Sequence, residues 1–299
     1  MLTRGKSRDA FTLVELLCSL LLCTAIAGAA IGVLSGCIQS YERVLALAEA
    51  RRRGQSVLQI LRLPVENASL GLPTKAEEFI ASLSVGKAAL AAVNGWEGPV
   101  SVAGGELRLL YAVPTTIVNE GLAAETSSSQ DRAVKLSVPV TDGQVQAFRG
   151  FGSTVTKSWV LFPPSGVPFL VKDLSNRTLS VRSSTPSCIF HNARLHYLRG
   201  IRARVVLVPG QEPAFCTEDV TSGSGLQERV LGVSGFLPSF DPVNRTLTLT
   251  VLSRGGRRHP DSVSPASLPG WPEPIEDEDR RYVLSVTSRT WRIRNGTAP

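Results

Sequence analysis

The chain has 299 residues, enough for one large domain or two ordinary ones, and its hydrophobic fraction of 43% is ordinary for a globular protein. The net charge of +7 is spread thinly and forms no long run of lysine and arginine, which argues against a nucleic-acid-binding surface. The densest basic cluster, Arg51 to Arg53, is better explained as a solvated or headgroup-facing collar above a membrane. We find no catalytic constellation in the sequence and expect no enzymatic activity.

The longest apolar block lies near the N-terminus, from Phe11 to Ser40, and its only strongly ionisable group is Glu15. About 28 helical residues at ~1.5 Å each span ~42 Å, which exceeds the ~30 Å hydrocarbon core of a bilayer. No second segment has a comparable length and composition. The block therefore predicts one transmembrane helix in a single-pass membrane protein.

Three interpretations fit a basic N-terminal region that precedes such a block. A secretory signal peptide would be cleaved at Ala25 to Ala27, and a lipoprotein would be lipidated at Cys37, in the box from Leu34 to Cys37. Neither explains Glu15, because a carboxylate inside an apolar run costs a few kcal/mol in lipid. The run is also longer than the apolar region of an ordinary signal peptide, which has about 7–15 residues.

The third interpretation comes from the string Ala10-Phe11-Thr12-Leu13-Val14-Glu15-Leu16-Leu17. It closely resembles the prepilin cleavage and methylation motif of type IV pilins and type II secretion pseudopilins. In that family a prepilin peptidase cuts before the aromatic residue, the new N-terminus is methylated, and a glutamate is kept at the fifth mature position. The resemblance implies cleavage between Ala10 and Phe11 and makes Glu15 that fifth residue. The chain departs from the family at Ala10, where glycine is usual.

The resemblance also gives Glu15 a physical role. A new ammonium at Phe11 and a carboxylate at Glu15 are each costly in lipid alone and much less costly when they are paired. The simplest pairing joins Glu15 of one subunit to the Phe11 amine of its neighbour. The motif therefore predicts an assembly role for Glu15, a cytoplasmic N-terminus, and a distal domain on the far side of the bacterial inner membrane.

Three glycines in the apolar block, Gly28, Gly32 and Gly36, fall four residues apart and so share one face of the predicted helix. Small residues at this spacing let helix backbones approach closely in membranes, which makes the stripe a candidate for subunit packing. The alternative is that glycine is simply frequent in transmembrane helices.

The helix is predicted to continue beyond the membrane as an amphipathic segment, because apolar residues recur at three- and four-residue steps. These residues are Val44, Leu47, Ala48, Val57, Leu58 and Leu61. Pro64 is a natural stop, so we expect the helix to run from Phe11 to Leu63. A second helix is predicted from about Thr74 to Val93.

Beyond this point the sequence consists of short β-branched or alternating runs between stretches rich in proline, glycine and serine. We expect strands at Leu107–Val113, Val134–Val138, Trp159–Phe162, Leu179–Val181, Ile201–Val208, Thr246–Leu252 and Tyr282–Ile293. The predicted fold class is α+β, with a long N-terminal helix packed on a β-rich globular domain that looks like a pilin domain. The predicted division is a leader at residues 1–10, the helix at 11–63 and an extracytoplasmic β-rich domain at 64–299.

The distal domain contains two of the five cysteines, Cys188 and Cys216. In an oxidising compartment they are candidates for a disulfide, and the alternative is two reduced, buried thiols. His191 and His196 lie near Cys188 in sequence, but the spacing fits no standard zinc module. The acidic string from Glu276 to Asp279 lacks the glycine and spaced ligands of a calcium loop, so we predict a solvated charge run and no metal or cofactor.

The sequence thus predicts a minor pilin or pseudopilin, a structural subunit that joins or initiates a type IV pilus or a type II secretion pseudopilus. About 235 residues beyond Leu63 are bulky for a repeating shaft subunit, which indicates a rare or tip subunit. Its partners would be the prepilin peptidase, other pilins or pseudopilins, and the inner membrane. The alternative is a membrane-tethered extracytoplasmic binding protein, either uncleaved or lipidated at Cys37.

Overall fold

The computed structural model describes residues 13–84, 93, 95–128, 130–140, 158–221 and 223–293. Within these residues the chain forms two α-helices and fourteen strands. The helices are α1 (Leu13–Glu66) and α2 (Ala76–Ser82). The strands in chain order are β1 (Val100–Ala103), β2 (Glu106–Val118), β3 (Ala124–Thr126), β4 (Asp131–Lys135), β5 (Trp159–Leu161), β6 (Pro168–Ser175), β7 (Thr178–Arg182), β8 (Ser187–Ile189), β9 (Arg194–Val206), β10 (Ala214–Asp219), β11 (Leu226–Leu231), β12 (Val233–Asp241), β13 (Thr246–Arg258) and β14 (Tyr282–Arg292).

The strands form a nine-stranded sheet, a three-stranded sheet and a pair. The main path of the large sheet is β1-β2-β9-β5-β6-β7-β4, and β10 and β11 extend it from β9. The three-stranded sheet has the order β12-β13-β14, and β3 pairs with β8. All of these pairings are antiparallel. One long apolar helix beside a β-rich domain confirms the α+β class predicted from the sequence.

The second half of α1 packs across the three-stranded sheet. Its buried residues are Ala46, Ala50, Gly54, Val57, Leu58, Leu61, Pro64 and Val65. Most of these positions are three or four residues apart, so they follow one face of the helix. That face contacts β13 and β14 and joins an apolar core that also contains Phe215, Phe236 and Trp291.

The large sheet is covered by apolar residues on both faces. On β2, Leu107 and Leu109 face the core that includes α1, whereas Leu110 and Ala112 face a second core. The change of face between Leu109 and Leu110 follows from the two-residue period of a strand. The second core also contains Phe79 of α2, so the short helix closes the opposite side of the sheet.

The structure corrects the predicted ends of both helices. α1 passes through Pro64 to Glu66, and the Asn67 N–H still donates to the Leu63 carbonyl over 3.1 Å. Pro64 lacks a backbone N–H and lies in the last turn, two residues before the helix ends, and its ring is buried. α2 is only seven residues long, and positions 85–92 of the predicted second helix lie outside the described residues.

The buried face of α1 also differs from the prediction at its start. Val44 and Ala48 are exposed, and Ala46 and Ala50 are buried in their place. The packed stripe begins with the small residues Ala46, Ala50 and Gly54, which let the sheet approach the helix closely. The predicted three- and four-residue steps start at Val44, whereas the packed face begins two residues further along the helix.

The packed face can be tested in a fragment that spans residues 46–299, which lacks the exposed apolar half of α1. We expect this fragment to fold with a β-rich circular dichroism spectrum. Leu61 is fully buried, whereas Leu63 is 52% exposed two residues away. Leu61→Ala should lower the free energy of unfolding by about 2–5 kcal/mol because it leaves a cavity in the core. The matched change Leu63→Ala should cost less than about 0.5 kcal/mol. Equal losses in urea denaturation would contradict this packing.

Candidate functional site

The first half of α1 is apolar on all faces and is not covered by the domain. Leu13 is 78% exposed and Ile31 is 65% exposed, and no residue of the most apolar 18-residue window is buried. Exposed apolar surface of this extent is unfavourable in water. The helix has the length and composition to cross a membrane, and the described residues contain one such helix. This agrees with the single apolar anchor predicted from the sequence.

Glu15 lies in the first turn of α1, at the beginning of the apolar half. A carboxylate at this position interacts favourably with the positive end of the helix dipole. The Ser19 hydroxyl donates to the backbone carbonyl of Glu15 over 2.7 Å. The predicted cleavage residues, Ala10 and Phe11, lie outside the described residues. Glu15 is therefore the one member of the predicted processing and assembly set that the structure places.

The glycine stripe lies on the uncovered part of α1. A Cβ atom built on Gly28, Gly32 or Gly36 would meet nothing within 4 Å. Space for a side chain therefore exists at each position within the subunit, and the fold of this chain does not require glycine there. The stripe leaves a shallow strip on the helix that is open to another helix.

The domain is fixed to α1 just beyond the apolar half, through the backbone of β13. A Cβ atom on Gly255 would lie 2.7 Å from the Ala46 carbonyl oxygen, so the close approach requires glycine. The Ser253 hydroxyl donates to the Ala50 carbonyl over 2.7 Å. The Gly256 N–H donates to a carboxylate oxygen of the helix over 2.9 Å. These contacts hold the strand directly against the helix backbone.

Ion pairs also join α1 to the domain on both sides of the contact between α1 and β13. Arg257, near the end of β13, pairs with Glu42 of α1. Arg53 of α1 pairs with Glu49 over 2.8 Å and also with Glu212, in the turn before β10. Arg53, one residue of the predicted basic collar, therefore forms an ion pair with the domain. Charged groups join α1 to both the small sheet and the large sheet.

The acidic string from Glu276 to Asp279 is exposed over its first three residues, in agreement with the predicted solvated charge run, whereas Asp279 is buried. Asp279 and Arg254 form a buried ion pair, and Glu278 pairs with Arg258 over 2.7 Å. The hydrogen bond from Arg258 lowers the pKa of the Glu278 carboxyl. Among the described residues, no group of three or more His, Cys, Asp or Glu side chains could hold a metal ion.

Cys188 and Cys216 are free thiols, so the structure does not contain the candidate disulfide. Cys188 on β8 lies near the beginning of β9, because Ser165 donates to its carbonyl and the turn at Ser165 contacts β9. Cys216 on β10 is paired with Arg204, near the end of β9. The ten residues from Arg194 to Arg204 span ~33 Å of strand. A disulfide requires Cα atoms about 4.4–6.8 Å apart, so the separation along β9 argues against a bond between the two thiols in this fold.

Comparison with protein-family models, with curated proteins and with solved structures found no match for this chain. The function is therefore argued from the chain's own residues. In the described geometry, the first half of α1 could span a membrane and the second half packs against the domain.

The thiols give a direct test of this arrangement in the fragment 46–299, which keeps Cys188 and Cys216 alone. Burial and the nearby Glu228 carboxylate raise the pKa of the Cys216 thiol, so it forms less thiolate than an ordinary cysteine. We expect iodoacetamide to modify the partly exposed Cys188 first in the folded fragment. Both thiols should be modified after unfolding without reductant, as measured by intact mass. An unfolded fragment that takes no label would show the disulfide and contradict the structure.

Proposed function

We propose that this protein is a minor pilin or pseudopilin, a structural subunit that joins or initiates a type IV pilus or a type II secretion pseudopilus. The observation that carries the proposal is the string from Ala10 to Leu17, which leads directly into a 54-residue helix. Cleavage before Phe11 would leave a mature chain that begins two residues before α1. The leader would remain in the cytoplasm, and the β-rich domain would lie outside it.

The two halves of α1 suit such a subunit. Before assembly, such a subunit resides in a membrane and needs an apolar helix that lipid can cover. After assembly, neighbouring helices cover the same surface. The uncovered half of α1 supplies this surface, with Gly28, Gly32 and Gly36 open to another helix. A subunit that enters a filament also needs a domain held firmly to its helix, and the packed half of α1 supports this requirement.

The presence of Glu15 in the apolar half of α1 argues for a role in assembly in addition to anchoring. A carboxylate in the lipid-facing part of a helix weakens membrane insertion, so its presence calls for a compensating interaction. In the proposed filament, the ammonium at Phe11 of one subunit supplies the positive charge for Glu15 of another. A subunit at the extreme tip has no neighbour ahead of it. We infer from Glu15 that at least one subunit lies ahead of this one.

Processing provides the first test of the proposal. Expression of the full chain together with a prepilin peptidase should shorten it by ten residues and leave a methylated Phe11 as the N-terminus, which N-terminal sequencing and intact mass will reveal. Expression without the peptidase is the control and should leave the chain uncut. A mature N-terminus at Gly28 or a lipidated Cys37 would reject the proposal in favour of a signal peptide or a lipoprotein.

Assembly provides the second test. Glu15→Val should still insert and be cleaved, because valine is easier to bury in lipid than glutamate. The neighbour's ammonium would then lose its partner at a cost on the order of a few kcal/mol, so recovery of partner pilins should fall at least tenfold. Co-purification in detergent measures this recovery. Ser19→Ala, one helical turn away, is the uncharged control and should keep it. Equal recovery with Glu15→Val would remove the pairing and leave Glu15 as a processing determinant only.

A further inference from the structure

A cleft of about 600 Å³ opens where α1 leaves its apolar half. The helix forms one wall, from Gly36 to Arg43, and the residues around the end of β13 form the other. Val263 and Val283 line the cleft with apolar surface, and charged groups from both walls surround it. The cleft therefore combines an apolar lining with charges at the boundary between the anchor and the domain.

The charged side chains that line the cleft carry a net positive charge. Arg257 and Glu42 form an ion pair with each other, so together they are neutral. Arg43 is exposed, and its guanidinium has no ion pair or hydrogen bond with the described part of the chain. His259 lies in the same lining and adds a further hydrogen-bonding ring. An anionic group that enters the cleft would find Arg43 ready to donate to it.

Helix geometry places the Gly36 end of the cleft at the level of the lipid headgroups and the backbone of Arg43 just beyond them. Gly36 lies about 35 Å and Arg43 about 45 Å along α1 from Leu13, and a tilt of about 20° reduces these heights to about 32 Å and 42 Å. If Leu13 marks the inner edge of the ~30 Å hydrocarbon core, the far headgroup layer begins just before Gly36. Side chains on a helix point toward its N-terminus, so Arg43 reaches back toward this layer.

We propose that this cleft binds the phosphate group of a membrane phospholipid from the extracytoplasmic leaflet. Arg43 donates hydrogen bonds to the phosphate oxygens, and the arginine fork suits that geometry. Val263 and Val283 contact the glycerol and the first methylene groups. The inference rests on the membrane anchor in the proposed function, and it does not depend on filament assembly. A lipid bound here would steady the domain on the bilayer until the subunit leaves the membrane.

Native mass spectrometry of the full chain in a mild detergent tests this site, with phosphatidylglycerol as the probe. Arg43→Gln should weaken binding about fivefold, the usual contribution of one basic residue near an anionic membrane surface. Arg52→Gln is the matched control, because Arg52 is also exposed but lies about 13 Å further along the helix and outside the cleft. Arg52→Gln should bind like the wild type.

Two further probes separate the sources of the phosphate. Diacylglycerol with the same acyl chains lacks the phosphate and should bind at least fivefold more weakly than phosphatidylglycerol. Inorganic phosphate lacks the chains and should not displace the lipid at equal concentration. The proposal is overturned if Arg43→Gln binds phosphatidylglycerol as the wild type does, if diacylglycerol binds equally well, or if inorganic phosphate displaces the lipid.

The rival occupant is an acidic side chain of a neighbouring subunit. If Arg43→Gln reduces the recovery of partner pilins and leaves lipid binding unchanged, the cleft is a subunit contact and the lipid proposal is wrong. The processing state of the chain shows whether a failed experiment rejects the lipid site or the proposed function. A chain that stays uncut in the presence of the peptidase but still prefers phosphatidylglycerol through Arg43 supports the lipid site and rejects the prepilin. A chain that is cut before Phe11 but shows no such preference supports the prepilin and rejects the lipid site.

Discussion

One helix in this protein has to satisfy two different surroundings along its length. The first half of α1 is apolar on every face and has no protein cover, whereas the second half has a single apolar stripe against a sheet. A helix that is apolar all round favours lipid, and an amphipathic helix favours a protein surface. The position of the domain, the cleft at the junction and the proposed assembly role all follow from where this change occurs, between Ser40 and Ala46.

At the junction, small residues let the helix and the three-stranded sheet approach each other closely. Ala46 and Gly255 bring the helix and β13 into direct contact, and Gly54 leaves room for the side chain of Thr287 on β14. The hydroxyl of Ser253 then satisfies a helix carbonyl at the same place. Close packing of this kind opposes movement of the domain relative to the helix. The proposed filament subunit would need this property when it is drawn from the membrane by its helix.

The sequence predicted the features that depend on local pattern. The long helix, the α+β class and seven of the strands could be inferred from periodicity, and each of those seven overlaps an observed strand. The missed strands have weak local signals; β12, for example, contains Gly235 and Pro238. The candidate disulfide was inferred by pairing two cysteines by residue type, and the structure shows Cys188 and Cys216 as free thiols. The buried ion pair of Arg254 and Asp279 joins positions 25 residues apart, and no short sequence motif predicts such a contact. The proposed role of Glu15 was inferred from a motif, because its partner would belong to another chain.

The most direct test of the central claim is a distance measurement across the junction in liposomes. Spin labels at Ile31 and Gln55, both exposed, would replace side chains in a variant whose five cysteines are changed to alanine. Double electron–electron resonance should then give one narrow distance near 36 Å, from 24 residues at ~1.5 Å each. A broad or markedly shorter distribution would show that the helix breaks or bends between its two halves. That result would contradict a single continuous helix shared by membrane and domain.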